Sequence, residues 1–177
     1  MNFVNTNWSR PNRILLLTYN RPEHISTTYR QGVIGVPNER ANETKLKRMR
    51  VGDWVLIRVS AFEEFQAARP ARITGRFIDQ RKVGSPYAPL LWEEELELGR
   101  IVYPFRIPVS FEGGPHTKAK CVNWKSLASL GLRGKDGALL EDPQQWGIKF
   151  KTNVLDDPSE VDRFLDLLAQ LNSRGDR

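Results

Sequence analysis

One stretch of the chain, residues 32–60, constrains the fold more than any other, because it predicts two strands with a cationic helix between them. Its sequence is GVIGVPNERANETKLKRMRVGDWVLIRVS. Residues 33–36 are a short apolar run, which predicts a buried strand. Asn38 or Asn42 then offers an N-cap for a helix that continues to Met49.

The second half of this stretch predicts a turn followed by another strand. Gly52 and Asp53 have turn chemistry, and Trp54–Val59 is a run of β-branched and bulky apolar residues that only Arg58 interrupts. The positive charge lies on the connecting helix and just after it, on Arg40, Lys45, Lys47, Arg48 and Arg50.

The charge of the whole chain is distributed unevenly. Lys and Arg number fifteen against seven Asp and Glu in residues 1–90, but twelve against fourteen in residues 91–177. The net charge is +6 and the pI is about 9.7. Solubility alone does not require this asymmetry, so we expect the first half of the chain to present a surface to a polyanion such as nucleic acid.

Length and composition favour one cytoplasmic domain. A chain of 177 residues with 40% hydrophobic content can bury a core. No apolar run approaches the length of about 20 residues that spans a bilayer, and the amino terminus lacks the residue order of a signal peptide. The single Cys121 excludes an intramolecular disulfide. We expect one domain over residues 1–177, with residues 1–12 as a polar leader.

The remaining elements are short strands interleaved with helices. We expect strands at residues 13–19, 72–78 with a bulge at Gly75, and 101–111, where two prolines indicate a sheet edge or a barrel corner. We expect helices at residues 22–30, 124–130 and after Asp157, and a binding loop at residues 81–91. Parallel βαβ repetition is absent, which indicates an α+β fold around a curved or closed sheet.

Enzyme chemistry finds little support in the residues. His24 and His116 lack a metal-ligand spacing and are expected to be surface or turn histidines, while Cys121 is expected to be a buried strand cysteine. The carboxylates of Glu93, Glu94, Glu95 and Glu97 are expected to be solvated. We therefore expect no catalytic residue, no metal site and no cofactor.

Several segments of the chain together form a recognisable pattern. GVIGVPNER, a basic helix, GDWVLIRVS, ARITGRF and YPFRIPV follow one another, and Trp92 precedes Gly99 by seven residues. In this order the segments resemble the EVE domain of the PUA-like superfamily and the closely related YTH domain. The resemblance extends from about Arg13 to Leu171.

The resemblance implies a PUA-like β-barrel, curved or closed, with short flanking helices. It also implies a non-enzymatic module that binds a modified nucleobase, either in RNA, as YTH domains bind N6-methyladenosine, or in DNA, as in the amino-terminal domains of McrB-type restriction systems. N6-methyladenine is the first expectation, and 5-methylcytosine remains an alternative. A methylated base must be single-stranded or flipped out to be examined, and aromatic stacking offsets that cost.

The resemblance also indicates which residues bind the base. Trp92 is the candidate pocket wall, although it could instead be a packing residue next to the acidic turn. Ile34 occupies a position where the family often has Trp, so an aliphatic wall is expected there. Beyond what the resemblance implies, the candidate pocket also includes Val33, Ser60 and Tyr87, and Trp8, Tyr19 or Tyr87 is a candidate for a further face, with core or loop packing as the alternative for each. The candidate phosphate or base-edge contacts are Arg72, Arg76, Arg81, Lys82, Arg133 and Lys135.

Two other functions and one further partner remain open at this stage. PUA-like barrels also bind structured RNA by shape, without a base pocket, and some relatives hydrolyse small modified nucleosides. A motor or nuclease subunit or domain is a further candidate partner, since the polar end LNSRGDR suits a domain boundary as well as a natural terminus.

Overall fold

The computed structural model describes residues 9–59, 67–81, 89–111, 122–123, 131, 133, 137–139 and 151–174. Within them lie eight strands: β1 (Ile14–Tyr19), β2 (Val33–Val36), β3 (Trp54–Val59), β4 (Ala67–Ile73), β5 (Ile78–Asp79), β6 (Phe105–Phe111), β7 (Val122–Asn123) and β8 (Asn153–Leu155). The described helices are α1 (Pro22–Gln31), α2 (Arg40–Arg48), α3 (Glu93–Leu98) and α4 (Pro158–Arg174). The helix expected at residues 124–130 lies outside the described residues.

The strands form one curled sheet, a half-barrel, in the order β2-β6-β4-β3-β1-β8. In addition, β5 pairs with β6, and β7 pairs with β4. The β1 and β3 strands are parallel, with Ile14 opposite Trp54 and Tyr19 opposite Val59, while the other pairs are antiparallel. The predicted α+β fold around a curved sheet is therefore confirmed. None of the helices in the described part of the chain has the length and apolarity to cross a membrane.

The β6 strand makes the corner of the half-barrel. One of its edges pairs with β2, and its other edge pairs first with β5 and then with β4. Pro108 lies where the partner changes, and its carbonyl accepts the N–H of Thr74 at 2.9 Å. A Cβ on Gly75 would lie 2.6 Å from Cγ of Pro108, so Gly75 lets the loop between β4 and β5 approach β6 closely. The barrel-corner prediction fits this position, and the alternative of a sheet edge is wrong. The expected strand over residues 72–78 with a bulge at Gly75 is wrong, because residues 74–77 lie in this loop.

The core lies against one face of the sheet. Ile34, Ile57 and Ile107 are fully buried members of its apolar cluster. Successive side chains of a strand point to opposite faces, so Ile34 lies on the core side and Gly35 on the other. The expectation that Ile34 forms a wall of a ligand pocket is therefore wrong, because its side chain is enclosed by the core.

Local sequence signals predicted the N-cap of one helix correctly and that of another incorrectly. Asp157 caps α4 as expected, since its Oδ1 accepts the N–H of Ser159 at 2.7 Å. The α2 helix instead follows Glu39, whose side chain makes no capping bond. The predicted capping role of Asn38 or Asn42 is wrong, because Asn42 lies inside the first turn and donates from Nδ2 to the carbonyl of Pro37.

Ile34→Trp tests the core position of this residue. We expect the free energy of unfolding in urea to fall by about 1–3 kcal/mol or more, because a larger ring has to be forced into a close-packed core. Val51→Trp is the control, since Val51 is exposed and its replacement should change stability by no more than about 0.5 kcal/mol. A fully stable Ile34→Trp protein would contradict the assignment of this side chain to the core.

Candidate functional site

A pocket of about 600 Å³ lies at the carboxyl ends of β1 and β3. These two strands are parallel, so their ends meet at the same edge of the sheet. The starts of α1 and α2 and the loop before β6 complete the pocket. Its lining residues are Leu17, Thr18, Tyr19, Asn20, Arg21, His24, Gly35, Pro37, Glu39, Asn42, Arg58, Glu94, Tyr103, Lys151 and Thr152.

A row of aromatic rings forms one side of this pocket. The ring centroids of Tyr19 and His24 lie 5.6 Å apart, and those of His24 and Tyr103 lie 5.3 Å apart. Tyr103 in turn contacts Trp92 at 5.3 Å. All three contacts are edge-to-face, an arrangement that the charge distribution of aromatic rings favours. The first three rings line the pocket and so present aromatic surface to a ligand.

Trp92 forms the second layer behind this row. Only 1% of its surface is exposed, and its ring lies over Gly35, where a Cβ would be 2.3 Å from Cη2 of the indole. Its Nε1 has no hydrogen-bond partner among the described residues. The guanidinium of Arg106 lies 5.2 Å from the indole ring, within the range of a cation–π contact. This location corresponds to the packing alternative for Trp92.

A buried ion pair fixes the segment that carries Trp92 and Tyr103. The carboxylate of Glu95 is fully buried and accepts a hydrogen bond from Nη2 of Arg106 at 3.0 Å. The same carboxylate accepts the N–H groups of Leu91, Val102 and Tyr103 at 2.9–3.0 Å. Each oxygen of Glu95 is therefore held by several donors. The expectation that the acidic run is solvated is wrong for Glu95, because the chain folds around this carboxylate.

Arg106 completes the same network from β6. Its Nη1 donates to the carbonyl of Pro89 at 2.8 Å, and its Nε donates to the carbonyl of Tyr103 at 3.1 Å. Burial lowers the pKa of the Arg106 guanidinium, and Glu95 counters that effect. The pair thus connects both ends of the segment between residues 89 and 103 to the sheet.

The phenol of Tyr19 lies at the base of the pocket. Its oxygen accepts hydrogen bonds from Oγ1 of Thr28 at 3.1 Å and from the N–H of Gly35 at 3.3 Å. Burial raises the pKa of Tyr19 to about 12. Tyr19 is therefore a neutral phenol at physiological pH. Burial and the hydrogen bond to Glu94 likewise raise the pKa of Tyr103.

His24 lies between these two phenols and is only 6% exposed, so the expectation of a surface or turn histidine is wrong. Burial lowers the pKa of its imidazole from 6.5, and Arg21 lowers it further, while Glu94 raises it in part. Its Nε2 has no hydrogen-bond partner among the described residues. His24 therefore contributes a neutral ring to the pocket at physiological pH.

Charged groups surround the aromatic row. Arg21 and Lys151 are exposed cations, whereas Arg58 is mostly buried and burial lowers its pKa. The anions of the lining are Glu39 and Glu94. Among the described lining residues, three cations thus face two carboxylates. A ligand with a flat neutral part and an attached anionic group complements this distribution of rings and charges.

One wall of the pocket has an unusual backbone conformation. Thr152 has a φ of 45°, a left-handed conformation that is strained for a β-branched residue, and its carbonyl accepts a hydrogen bond from Nζ of Lys45 at 2.5 Å. This contact links α2 to the start of β8. No group of three or more His, Cys, Asp or Glu side chains that could hold a metal ion occurs in the described part of the chain.

The site residues expected from the sequence do not converge on this pocket. Among those that the structure describes, only Tyr19, expected as one possible further face of the base pocket, lines it. Val33 and Arg72 are half-buried in the sheet, Arg76 is exposed, and Arg133 donates to the carbonyl of Gly137. The expected residues that lie outside the described part of the chain are Trp8, Ser60, Lys82, Tyr87 and Lys135.

Arg81 is held by its neighbours. Its guanidinium donates to Asp79, to Asn38 and to Glu43 at 2.8–2.9 Å, and it lies 4.5 Å from the ring centroid of Phe105. Two carboxylates thus balance its charge, and these contacts raise its pKa. These contacts indicate that Arg81 stabilises the fold and does not serve mainly as a phosphate contact.

Sequence reasoning missed Tyr103, His24 and Arg58 as pocket residues. Tyr103 opens the YPFRIPV segment, and Arg58 is the one charge in an apolar strand, so both carried a local signal. His24 carried none, because its burial depends on rings that come from β1 and from the loop before β6.

The comparisons with known proteins concern the fold. The sequence matches no family model and no curated protein. The structure matches the YTH domain of the Zygosaccharomyces rouxii MRB1 protein, solved with N6-methyladenosine RNA, with a TM-score of 0.55 and 12% identity over 88% of this chain and 86% of that one. It matches the Pho92 YTH domain, solved in complex with m6A, with a TM-score of 0.53 and 12% identity over 88% and 82%.

The chain has the fold of YTH domains. A hypothetical protein from Leishmania major shares it as well, with a TM-score of 0.52 and 17% identity over 93% of this chain and 97% of that one. The expected fold relationship to YTH domains is thus confirmed.

Arg106→Met tests the buried ion pair. The substitution leaves the carboxylate of Glu95 buried without its counter-charge, so we expect the free energy of unfolding in urea to fall by about 3–5 kcal/mol. Arg48→Met is the matched control, because it breaks an exposed pair with Asp156 and should cost no more than about 1 kcal/mol. Equal losses for the two variants would contradict a special role of the buried pair.

The lowered pKa of His24 predicts a pH dependence of stability. Above pH 6.5 the imidazole is neutral in both states; below it the unfolded chain takes up a proton that the folded protein resists. The free energy of unfolding should therefore fall as pH decreases from 6.5 through the folded-state pKa. His24→Asn should remove this slope in urea titrations between about pH 5 and pH 7. If the free energy of unfolding depends on pH equally in the parent and in the variant, His24 is not the cause of this dependence.

Proposed function

We propose that this protein is a non-enzymatic module that binds one methylated base of a nucleic acid in the pocket between α1, α2 and the loop before β6. The observation that carries the proposal is the pocket itself, which combines an aromatic row with cations at its mouth. Its volume of about 600 Å³ falls within the range of about 300–1,000 Å³ that small-ligand pockets have. The YTH domains that share the fold were solved with methylated RNA or with m6A.

The aromatic row supplies the energy for base binding. Taking a base out of its stack costs a few kcal/mol, and stacking on an aromatic side chain contributes about 1–3 kcal/mol per base. Tyr19, His24 and Tyr103 are neutral, so they offer ring surface without requiring a charged base. Trp92 supports this row from behind, which gives it a positioning role instead of a direct contact with the base.

The cations at the mouth of the pocket supply contacts for the phosphates. Arg21 and Lys151 are exposed and line the opening, so they replace Arg81 as the main candidates for backbone contacts. Such contacts give affinity and orientation, while the pocket discriminates between bases. The proposed ligand is RNA with N6-methyladenine, and DNA and 5-methylcytosine are the alternatives to be tested beside it.

The EVE-like segments of the sequence support a second, separate proposal about partners. A motor or nuclease, as in McrB-type restriction systems, is the candidate. Its test is co-purification from the native cell, followed by identification of the bound subunit.

Calorimetric titrations with matched oligonucleotides test the proposed function. The set consists of RNA and DNA of one sequence, each unmodified, with one N6-methyladenine or with one 5-methylcytosine. Tighter binding of a methylated member, weakening with rising salt, is the expected result. Equal binding of modified and plain RNA would replace the proposal by binding to RNA shape, and turnover of a modified nucleoside would replace it by an enzymatic function. Failure to bind any member would overturn it.

Tyr103→Leu tests the pocket directly. The substitution keeps apolar volume but removes the ring, so we expect the affinity for the preferred methylated oligonucleotide to fall by about 1–3 kcal/mol. Tyr29→Leu is the control, because Tyr29 packs on Phe111 and is not among the residues that line the pocket. A folded Tyr103→Leu protein with the affinity of the parent would remove this ring from the binding site.

A further inference from the structure

The imidazole of His24 has an unusual polar environment in the pocket. His24 lies in the first turn of α1, is only 6% exposed and lines the pocket between the rings of Tyr19 and Tyr103. Its Nε2 is buried and has no hydrogen-bond partner among the described residues. Its Nδ1 is not buried in this way, so water in the pocket reaches it. The hydration of the ring therefore depends on one nitrogen.

This difference between the two nitrogens determines where the ring carries its proton. A neutral imidazole has one N–H group and one lone pair. A buried N–H without an acceptor is costly, so the neutral ring of His24 carries its hydrogen on Nδ1, where water accepts it, and has its lone pair on Nε2. A second proton would place an N–H at Nε2, where the described residues supply no acceptor. The local geometry therefore disfavours the charged form of His24.

The charged groups around His24 compensate only in part for the burial of its ring. Burial has the largest effect and lowers the pKa of the imidazole, while the nearby carboxylates raise it. The two neighbouring phenols have raised pKa values, so they stay neutral at acidic pH. The titratable and charged groups that face His24 are Tyr19 of β1, Arg21 and Glu23 at the start of α1, Glu94 and Glu95 of α3, and Tyr103 in the loop before β6.

A bound base would remove the remaining hydration of this ring. A flat base against the aromatic row covers the pocket side of His24 and displaces the water at Nδ1. A neutral imidazole loses little by this, whereas an imidazolium loses its hydration and finds no counter-charge on a neutral base. The phosphates would lie at the mouth, beside Arg21 and Lys151, where salt screens their charge. Desolvation of the ring therefore outweighs its attraction to the phosphates.

We propose that the pocket binds its base only when His24 is neutral, so that the protein holds its ligand at neutral pH and releases it as the pH falls. The proposal rests on the proposed function and concerns the regulation of the same site. Binding and protonation oppose each other, and this coupling is reciprocal. Affinity is therefore greatest above the pKa of His24 in the free protein and decreases as the pH falls through it.

A nuclear magnetic resonance titration of the imidazole is the first test. The chain has only two histidines, so the His116→Asn protein leaves His24 as the one imidazole signal. Its Cε1 proton is followed against pH in the free protein and in the complex with an RNA oligonucleotide that carries one N6-methyladenine. We expect a lower pKa in the complex than in the free protein. An equal or higher pKa in the complex would overturn the inference.

The affinity for the same RNA, measured between about pH 5 and pH 7.5 at constant ionic strength, is the second test. One linked proton weakens binding by at most about tenfold per pH unit. The unmodified RNA is the reference, because protonation of carboxylates strengthens the attraction of any nucleic acid as the pH falls. We expect the ratio of the two affinities to decrease with pH in the parent and in His116→Asn. Circular dichroism at each pH verifies that the protein remains folded.

His24→Phe separates the proton from the ring. The variant keeps an aromatic side chain that cannot titrate, so the ratio of the two affinities should no longer change with pH. If it does not fold, His24→Asn takes its place, with weaker binding but the same loss of pH dependence. The same pH profile in the parent and in a folded variant would overturn the inference. If neither variant folds, the resonance titration decides alone.

The proposed function and its regulation fail in different ways. If the parent at pH 7.5 binds N6-methyladenine RNA no better than unmodified RNA, the proposed function fails for this base, and the role of His24 fails with it. If the parent prefers the methylated RNA but binding leaves the pKa of His24 unchanged, only the role of His24 is overturned.

Discussion

The buried ion pair between Glu95 and Arg106 holds the aromatic side of the pocket in place. Burying two charges is costly, and the pair is favourable only because further hydrogen bonds satisfy the remaining donors and acceptors. Here the chain supplies them: three backbone N–H groups reach Glu95, and the carbonyls of Pro89 and Tyr103 accept from Arg106. The positions of Tyr103 and Trp92 therefore depend on a buried network whose two charged side chains do not line the pocket.

The pocket has two regions with different charge, a neutral interior and a charged opening. The interior carries neutral rings, because burial favours the uncharged forms of His24, Tyr19 and Tyr103. The opening carries the exposed charges of Arg21 and Lys151. A ligand with a flat neutral part and an anionic part satisfies both regions at once, and a nucleotide has this division.

Local signals predicted the framework, and long-range contacts determined the site. The bounds of Trp54–Val59 and the capping role of Asp157 depend on neighbouring residues, and both were predicted correctly. The side of the sheet that Ile34 faces depends on the register of β2 against β6, which no single segment contains. The burial of Glu95 likewise depends on an arginine eleven positions away that reaches it only in the folded sheet. A pattern of segments therefore predicted the fold, while the identity of the pocket residues required the three-dimensional structure.

Gly35 and Trp92 lie far apart in the chain but are in direct contact in the folded protein. The indole of Trp92 occupies the space that a side chain at position 35 of β2 would need. The large side chain at this point of the structure therefore comes from the segment before α3 and not from the strand. Enlarging residue 35 is possible only if residue 92 becomes smaller. The shape of the pocket beside Gly35 consequently depends on a pair of positions that lie far apart in the chain, and placing a side chain at residue 35 requires two coordinated substitutions, since either one alone leaves a clash or a cavity.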